Sequence, residues 1–490
     1  MSVLKGRKLN RRDLLKFGTA GVGVALAPSI LSSQSSNAAT PSNALWIPPV
    51  LSGKNFNLKL QNSTKQMRSG SLTKTYSYNG TGYWGPTLVM KKGDDISLNV
   101  TNNLSEQTTT HWHGIHLPAE MDGGPMQVIE AGKTWSPKFK MMNNASTYWY
   151  HPHMHKTTQK QLALGAGGFI IVQDSVEAAL ALPRTYGVDD IPLAFGSRTF
   201  STTNQIGTTT IYGDTLLTNG VANAQVSLPA QFIRLRLLNI ESERVQNIGF
   251  SDGRTFYVIA TDGGLVQKPI PVKRLLLVPG ERYEILVDLT KNAVGTTLSL
   301  RAFNKGLAFG YGGGEPATSG EFGSLLNNTD FDLLKIQVIK ATGSGITKLP
   351  ATLAASAFPS KSEVTNSRTI AINDQGAGTP FTFDSKSFDM SVINQRVKLG
   401  ATEAWTITND QIFGHAFHIH DVQFKIISRS SGPIPAHENG WKDTFSIQRN
   451  EKVTFLAKFA DFSSPTWAYM YHCHMANHED GGLMGQFLVV

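Results

Sequence analysis

Ten of the chain's thirteen histidines and its single cysteine fall in four short windows. His111 and His113 form one His-x-His pair, and His151 and His153 form another. His415, His418 and His420 form a His-x-x-His-x-His run. The last window is His472-Cys473-His474, with His478 four residues on. Imidazole nitrogens and a thiolate sulfur are metal ligands, and their spacing matters. Along an extended strand, residues i and i+2 point to one face. Each His-x-His pair therefore aims both rings at one place. In His472-Cys473-His474 the two histidines face one way and the cysteine the other. One peptide then touches two sites and joins them through adjacent backbone. Scattered placement does not describe this pattern, because no histidine occurs between His155 and His415.

On the cysteine side the natural ligand set is Cys473, His478 and one further histidine, for which His415 is the free candidate. Two imidazoles and a thiolate in trigonal array describe a blue-copper electron-transfer site. On the other side lie His111, His113, His151, His153, His418, His420, His472 and His474. Eight imidazoles are too many for one metal. They suit three coppers that share them as two, three and three. A single His-x-His pair is weak evidence, and a zinc site would not use eight histidines with one isolated cysteine.

Strands must position these groups. The chain's 490 residues call for about three domains of ~150 residues each. Short runs rich in Val, Ile, Thr, Phe and Tyr alternate with Gly, Asn, Asp and Pro, as at residues 95–100, 232–238 and 404–407. This predicts an all-β protein of sandwich domains. The first and last blocks repeat one another. Tyr150-His151-Pro152-His153-Met154 matches Tyr471-His472-Cys473-His474-Met475, and each is followed by a glycine-rich segment and a hydrophobic strand. Pro152 stands where the last block has Cys473, so one blue-copper site is expected. The middle block lacks histidine and reads as a spacer. The expected domains are residues 40–175, 176–345 and 346–490. Residues 310–328 read as a surface loop and 341–363 as a linker.

Residues 1–39 have the layout of an export signal. Six basic side chains precede the apolar run 17–31, and Ser36-Asn37-Ala38 fits a cleavage site. The pair Arg11-Arg12, followed by Asp13-Leu14-Leu15-Lys16, points to the twin-arginine export machinery. That route carries folded, cofactor-loaded proteins. A periplasmic location is expected, or an extracytoplasmic one in a cell without an outer membrane. The segment holds +5 of the formal charge of +9, which leaves about +4 and calls for no nucleic-acid partner. No other apolar run is long enough to span a membrane. A lone cysteine in an oxidising compartment cannot form an internal disulfide, and a metal bond would protect it.

These segments resemble the copper-binding signatures of the multicopper oxidases, the family of laccases, ferroxidases and bacterial cuprous oxidases. Residues 111–125, 213–220, 260–265, 440–444 and 472–482 look most like the bacterial periplasmic copper-tolerance oxidases. The resemblance implies three cupredoxin-like Greek-key β-sandwiches and four copper ions. The type 1 copper would be held by His415, Cys473 and His478, and the type 2 copper by His111 and His418. The type 3 pair would be held by His113, His151, His153, His420, His472 and His474. The three-copper cluster would lie between the first and third domains, and a monomer houses the full set. The activity implied is oxidation of a phenolic, aromatic or metal-ion donor (Fe2+ or Cu+), coupled to four-electron reduction of O2 to water.

Reducing O2 also needs protons, which a nearby carboxylate can pass in. Asp122 matches an acid near the three-copper cluster in that family, and Glu479 directly follows His478. Asp443 lies in another matching segment and receives no role. His116, His155 and His437 remain for outer or surface roles. The family's axial methionine position, ten residues after the cysteine, is Leu483 here, and Met484 follows it. A non-ligand there disfavours Cu(II) and raises the potential. The chain also lacks the methionine-rich insert of the copper-tolerance enzymes, since no methionine falls between Met154 and Met390. That weakens a dedicated cuprous-oxidase role and favours bulky aromatic donors. A ferroxidase role needs only an acidic approach, to which Asp410 contributes. The non-enzymatic alternatives are a copper-free scaffold of the same fold and a copper store.

Overall fold

The computed structural model describes residues 43–490 apart from 319, 344 and 375–380. The segment read as an export signal lies outside the described residues. Strands dominate, as at Asp95–Asn103, Phe232–Asn239 and Thr402–Asn409. The longest described helix, Thr158–Ala163, has six residues. No helix among the described residues is long and apolar enough to cross a membrane.

The strands form six sheets that pair into three sandwiches. In Asn55–Lys65, Phe56, Leu58 and Leu60 are buried while Asn55, Asn57 and Lys59 are exposed. That two-residue period puts one face on a core and the other in water. The first core draws on both sheets of its sandwich, through residues such as Leu58, Val100, Trp112, Tyr150 and Ile170. The third does the same with Ile370, Trp405, Phe417, Tyr471 and Phe487.

The repeat seen in the sequence is a repeat of strand order. In the first sandwich Thr87–Lys91, Gly168–Gln173, Ser146–His151 and His111–His113 lie side by side. In the third, Gln395–Val397, Met484–Val489, Tyr469–Cys473 and His415–Ile419 follow the same order. The first pair in each set is parallel and the rest are antiparallel. One packing device recurs as well. Tyr150 pairs across the sheet with Gly168, and Tyr471 with Gly485. A Cβ at Gly168 would lie 2.3 Å from the Tyr150 ring, and one at Gly485 would lie 2.4 Å from that of Tyr471. Glycine is required in both strands so that the tyrosine ring can cross its partner.

The second sandwich is built on a seven-stranded sheet. Its strands Asp190–Arg198 and Phe232–Asn239 are buried along their whole length. They are covered on one face by their own core and on the other by the first sandwich. That interface is charged. Arg234 and Arg236 both bind Glu284, and Arg236 also grips Asp190. Thr147, on a strand of the first sandwich, donates to Glu284 at 2.7 Å. Buried arginine is tolerated here because the guanidinium forks meet carboxylates.

Candidate metal centre

Strand alternation decides which face each histidine takes. In Ser146–His151, Tyr148 and Tyr150 point into the first core. Thr147, Trp149 and His151 therefore point outward. His111 pairs directly with His151, and His113 with Trp149, so both share that outer face. In the third sandwich Phe417, Ile419, Tyr471 and Cys473 point inward. His418 pairs with His472, and both point outward. The odd separation of His415 from His418 sends His415 inward, beside Cys473. Thus the cysteine site sits at the rim of the third core. The other histidines meet where the outer faces of the first and third sandwiches abut. His153, His420 and His474 stand just beyond their strand ends rather than on them.

At the cysteine site the Sγ of Cys473 lies 3.5 Å from His415 Nδ1 and 3.6 Å from His478 Nδ1. The two Nδ1 atoms are 3.1 Å apart. The other nitrogen of each ring is held, His415 Nε2 by Gln411 at 2.9 Å and His478 Nε2 by Glu243 at 3.2 Å. Burial and the neighbouring His478 keep His415 well below the usual imidazole range. Burial acts the same way on His478, but Glu243 and Cys473 outweigh it and raise that ring to about 10. Leu483 belongs to the core that holds Cys473. Met484 pairs with His472, and so takes the opposite face from the sulfur.

The eight remaining histidines are buried together, each at most 3% exposed. His111, His151, His418 and His472 place Nδ1 against the backbone carbonyls of Asp122, Pro152, Asp443 and Cys473 at 2.9, 2.9, 2.9 and 3.0 Å. The Nε2 atoms of His111, His151 and His418 have no hydrogen-bond partner among the described residues. Three more Nε2 atoms converge, with His472 at 3.1 Å from His153 and 3.3 Å from His420. His474 Nε2 faces His113 Nδ1 at 3.1 Å. Burial and the neighbouring imidazoles hold His113, His151, His153, His418, His420 and His474 well below the ordinary range, and His472 at about 3. Inward lone pairs, with the outer nitrogens of six rings set against a carbonyl or a carboxylate, make the kind of donor set a cluster of metal cations requires. The residues fit copper.

Both predicted carboxylates reach this cluster from outside. Asp122 Oδ2 is 2.7 Å from His420 Nδ1, and Oδ1 is 3.4 Å from His111 Nδ1. Glu479 lies 3.2 Å from His153 Nδ1 and 3.3 Å from His472 Nδ1. Burial, with Asp480 alongside, raises the Glu479 carboxyl well above the ordinary range. Asp443, left without a role by the sequence, lies 3.3 Å from His113 Nε2 and is gripped by Arg282 through two hydrogen bonds of 2.7 Å. None of the described contacts ties His116, His155 or His437 to the cluster. His116 bridges Asp421 and Asp461, His155 packs on Phe388, and His437 on Tyr283.

The middle sandwich is more than a spacer, which corrects the sequence reading. It supplies Glu243 to His478 and Arg282 to Asp443. At Gly280, with φ of +82°, a Cβ would lie 2.6 Å from the His474 ring. Residues 310–328 are likewise more than a surface loop. Gly310, Gly312, Glu315 and Phe322 wall a cavity of about 550 Å³ that reaches His478. Tyr212, Phe381, Phe413, Asp374 and Asp410 also line it. A histidine count does not find Glu243 or Arg282. Charged residues at alternate positions within the hydrophobic run 282–288 were the available signal of a buried interface.

Known proteins resemble this chain in sequence and fold. Multicopper oxidase family models match residues 59–177, 195–303 and 358–490. The chain is 33% identical over 448 residues to multicopper oxidase mco of Staphylococcus haemolyticus, covering 89% of this chain and 88% of that protein. It is 31% identical over 502 residues to cell division protein FtsP of Xenorhabdus nematophila, covering 98% of each. Its fold matches a laccase-like multicopper oxidase, CueO, from Ochrobactrum sp., with a TM-score of 0.81 and 33% identity. That match covers 91% of this chain and 100% of the other. The three sandwiches are thus cupredoxin-like domains, the buried histidines are of the kind that bind copper, and the chain belongs to the multicopper oxidase family.

Proposed function

We propose that this chain is an exported, monomeric oxidase that couples one-electron oxidation of small donors to four-electron reduction of O2 to water. One observation carries the reading. Eight buried imidazoles turn ring nitrogens toward one another and are linked, through His472-Cys473-His474, to a separate site of one thiol and two imidazoles. In this reading His415, Cys473 and His478 hold a type 1 copper, and His111 and His418 a type 2 copper. The triads His153, His420, His472 and His113, His151, His474 hold the type 3 pair. Bound copper would supply the redox chemistry.

The rest is the work of side chains. Asp122 and Glu479, each against two cluster histidines, serve as proton-passing carboxylates. The cavity beside His478 receives the donor. Phe322, Phe381 and Phe413 offer aromatic walls, and Glu243 stands at His478 Nε2, where it accepts a hydrogen bond from a phenol or aromatic amine. Its acidic lining also suits Fe2+ or Cu+ as alternative donors. The Ochrobactrum protein, described as active toward lignin model compounds, supports the aromatic reading. Export by the twin-arginine route follows from Arg11-Arg12 and its flanking sequence.

A second reading is a non-catalytic scaffold of the same fold, as the likeness to a cell division protein suggests. The complete ligand set speaks against it. Copper quantitation with O2 uptake separates the two, and rates with a phenol, Fe2+ and Cu+ rank the donors. Purified protein that takes up no copper sinks the oxidase reading.

A further inference from the structure

Seven of the eight cluster histidines turn Nε2 toward the cluster, and His113 turns Nδ1. The reversal has to be enforced, because a neutral imidazole carries one proton and can place it on either nitrogen. In five of the seven rings that turn Nε2 inward, an acceptor sits at Nδ1. The carbonyls of Asp122, Pro152, Asp443 and Cys473 do this for four rings, and Asp122 Oδ2 does it for His420. For His113 the acceptor must stand at Nε2 instead. What stands there is Asp443 Oδ1 at 3.3 Å, with the Thr444 hydroxyl at 3.4 Å. Thr444 spends its proton on Asp443 Oδ1, so its oxygen too can only accept from His113.

Asp443 does not hold this position alone. Arg282, fully buried, donates from its two terminal nitrogens to the two carboxylate oxygens, each at 2.7 Å. Its remaining donors reach the backbone carbonyls of Thr147, Gly280 and Asp262. All the guanidinium hydrogens are thereby committed, and the fork has one orientation. The site is tight, since a Cβ at Gly114 would lie 2.5 Å from Asp443 and 2.7 Å from Arg282.

We infer that Arg282 is a positioning residue: through Asp443 it fixes the proton of His113 on Nε2, so that His113 offers Nδ1 to the cluster. The inference rests on the reading that these histidines hold copper. The second sandwich, which has no histidine, thereby sets the geometry of a site formed by the other two. Lysine keeps the charge but cannot reproduce a two-pronged, planar grip.

The test uses copper-free full-length protein carrying 15N-histidine, with the His113 signal identified by its loss in His113→Gln. Nitrogen shifts report which ring nitrogen is protonated, so the result is independent of catalysis and of copper loading. Wild-type His113 is expected as the Nε2–H form. In Arg282→Lys, and separately in Asp443→Asn, the tautomer ratio should shift toward Nδ1–H by at least about tenfold, the scale of one lost charge-assisted hydrogen bond. On copper loading, Arg282→Lys should retain less cluster copper while the absorption of the Cys473 site stays at wild-type strength. A His113 signal that remains wholly Nε2–H in the folded variants overturns the inference. So does equal loss of copper from both sites, which would mark a general structural role.

Discussion

The Nε2 atoms of His420 and His472 face each other at 3.3 Å, and neither can donate to the other. His420 places Nδ1 against Asp122 Oδ2 at 2.7 Å, and His472 places Nδ1 against the Cys473 carbonyl at 3.0 Å. Each ring spends its one proton outward, so two lone pairs point at one another across a buried gap. A cation between them turns that repulsion into ligation. Metal removal should therefore destabilise the fold. At free copper a hundred times Kd, each site adds about 2.7 kcal/mol, so the melting midpoint should rise by several degrees on copper loading. Thermal scans with copper and with a chelator check this, and identical midpoints contradict it.

Cys473 is the only thiol, and its peptide carries a member of each candidate metal-binding site, the cysteine site and the histidine cluster. Cys473→Ser should abolish the visible thiolate–copper absorption and reduce donor oxidation to background, while copper held by the eight histidines is retained. Absorption spectra with metal analysis measure both effects.

Asp122 touches His420 and His111 but not the cysteine site. Asp122→Asn is near-isosteric and removes the carboxylate. It should slow O2 reduction by about 10²–10⁴-fold, the usual scale for a lost proton donor. The blue colour should persist. Full turnover in this variant rules the proton role out.

Leu483 packs in the core with Cys473, whereas Met484 shares the face of His472. Leu483→Met conserves volume and should cost less than about 1.5 kcal/mol. It brings a thioether to the sulfur's side and should lower the reduction potential of the type 1 site. A redox titration decides, and an unchanged potential means the axial position lies elsewhere.

His116 clasps the first sandwich to the third, between Asp421 at 2.6 Å and Asp461 at 2.9 Å. Burial lowers its pKa, but the two carboxylates outweigh that and raise it to about 9. A raised pKa means the clasp's stabilisation is complete below about pH 6.5 and is lost as pH climbs through 9. The loss amounts to at most about 3 kcal/mol, less the screening at half-exposed Asp461. Melting midpoints across this range should fall more steeply in the wild type than in His116→Gln, and parallel curves contradict the assignment.

Most of the site was legible because strand alternation turns residue spacing into facing. His111-x-His113 and His472-Cys473-His474 announce which side chains share a face before any coordinates exist. The internal repeat was legible for a related reason, since Tyr150 over Gly168 and Tyr471 over Gly485 leave the same residue types in both copies. What escaped was contributed across domain interfaces. Glu243 and Arg282 lie 235 and 161 positions from the groups they serve, His478 and Asp443. No local pattern encodes a contact made by packing one sandwich on another. The carboxylate–arginine pair at Asp443 is visible only once three domains are assembled.

The most direct test of the central claim is metal analysis of copper-reconstituted protein with O2 uptake measured on the same sample. The account predicts four coppers per chain, distributed over the described ligand groups, and one O2 reduced to water for every four donor electrons. A protein that binds no copper, or one that binds it and consumes no O2 with any of a phenol, Fe2+ or Cu+, would contradict it.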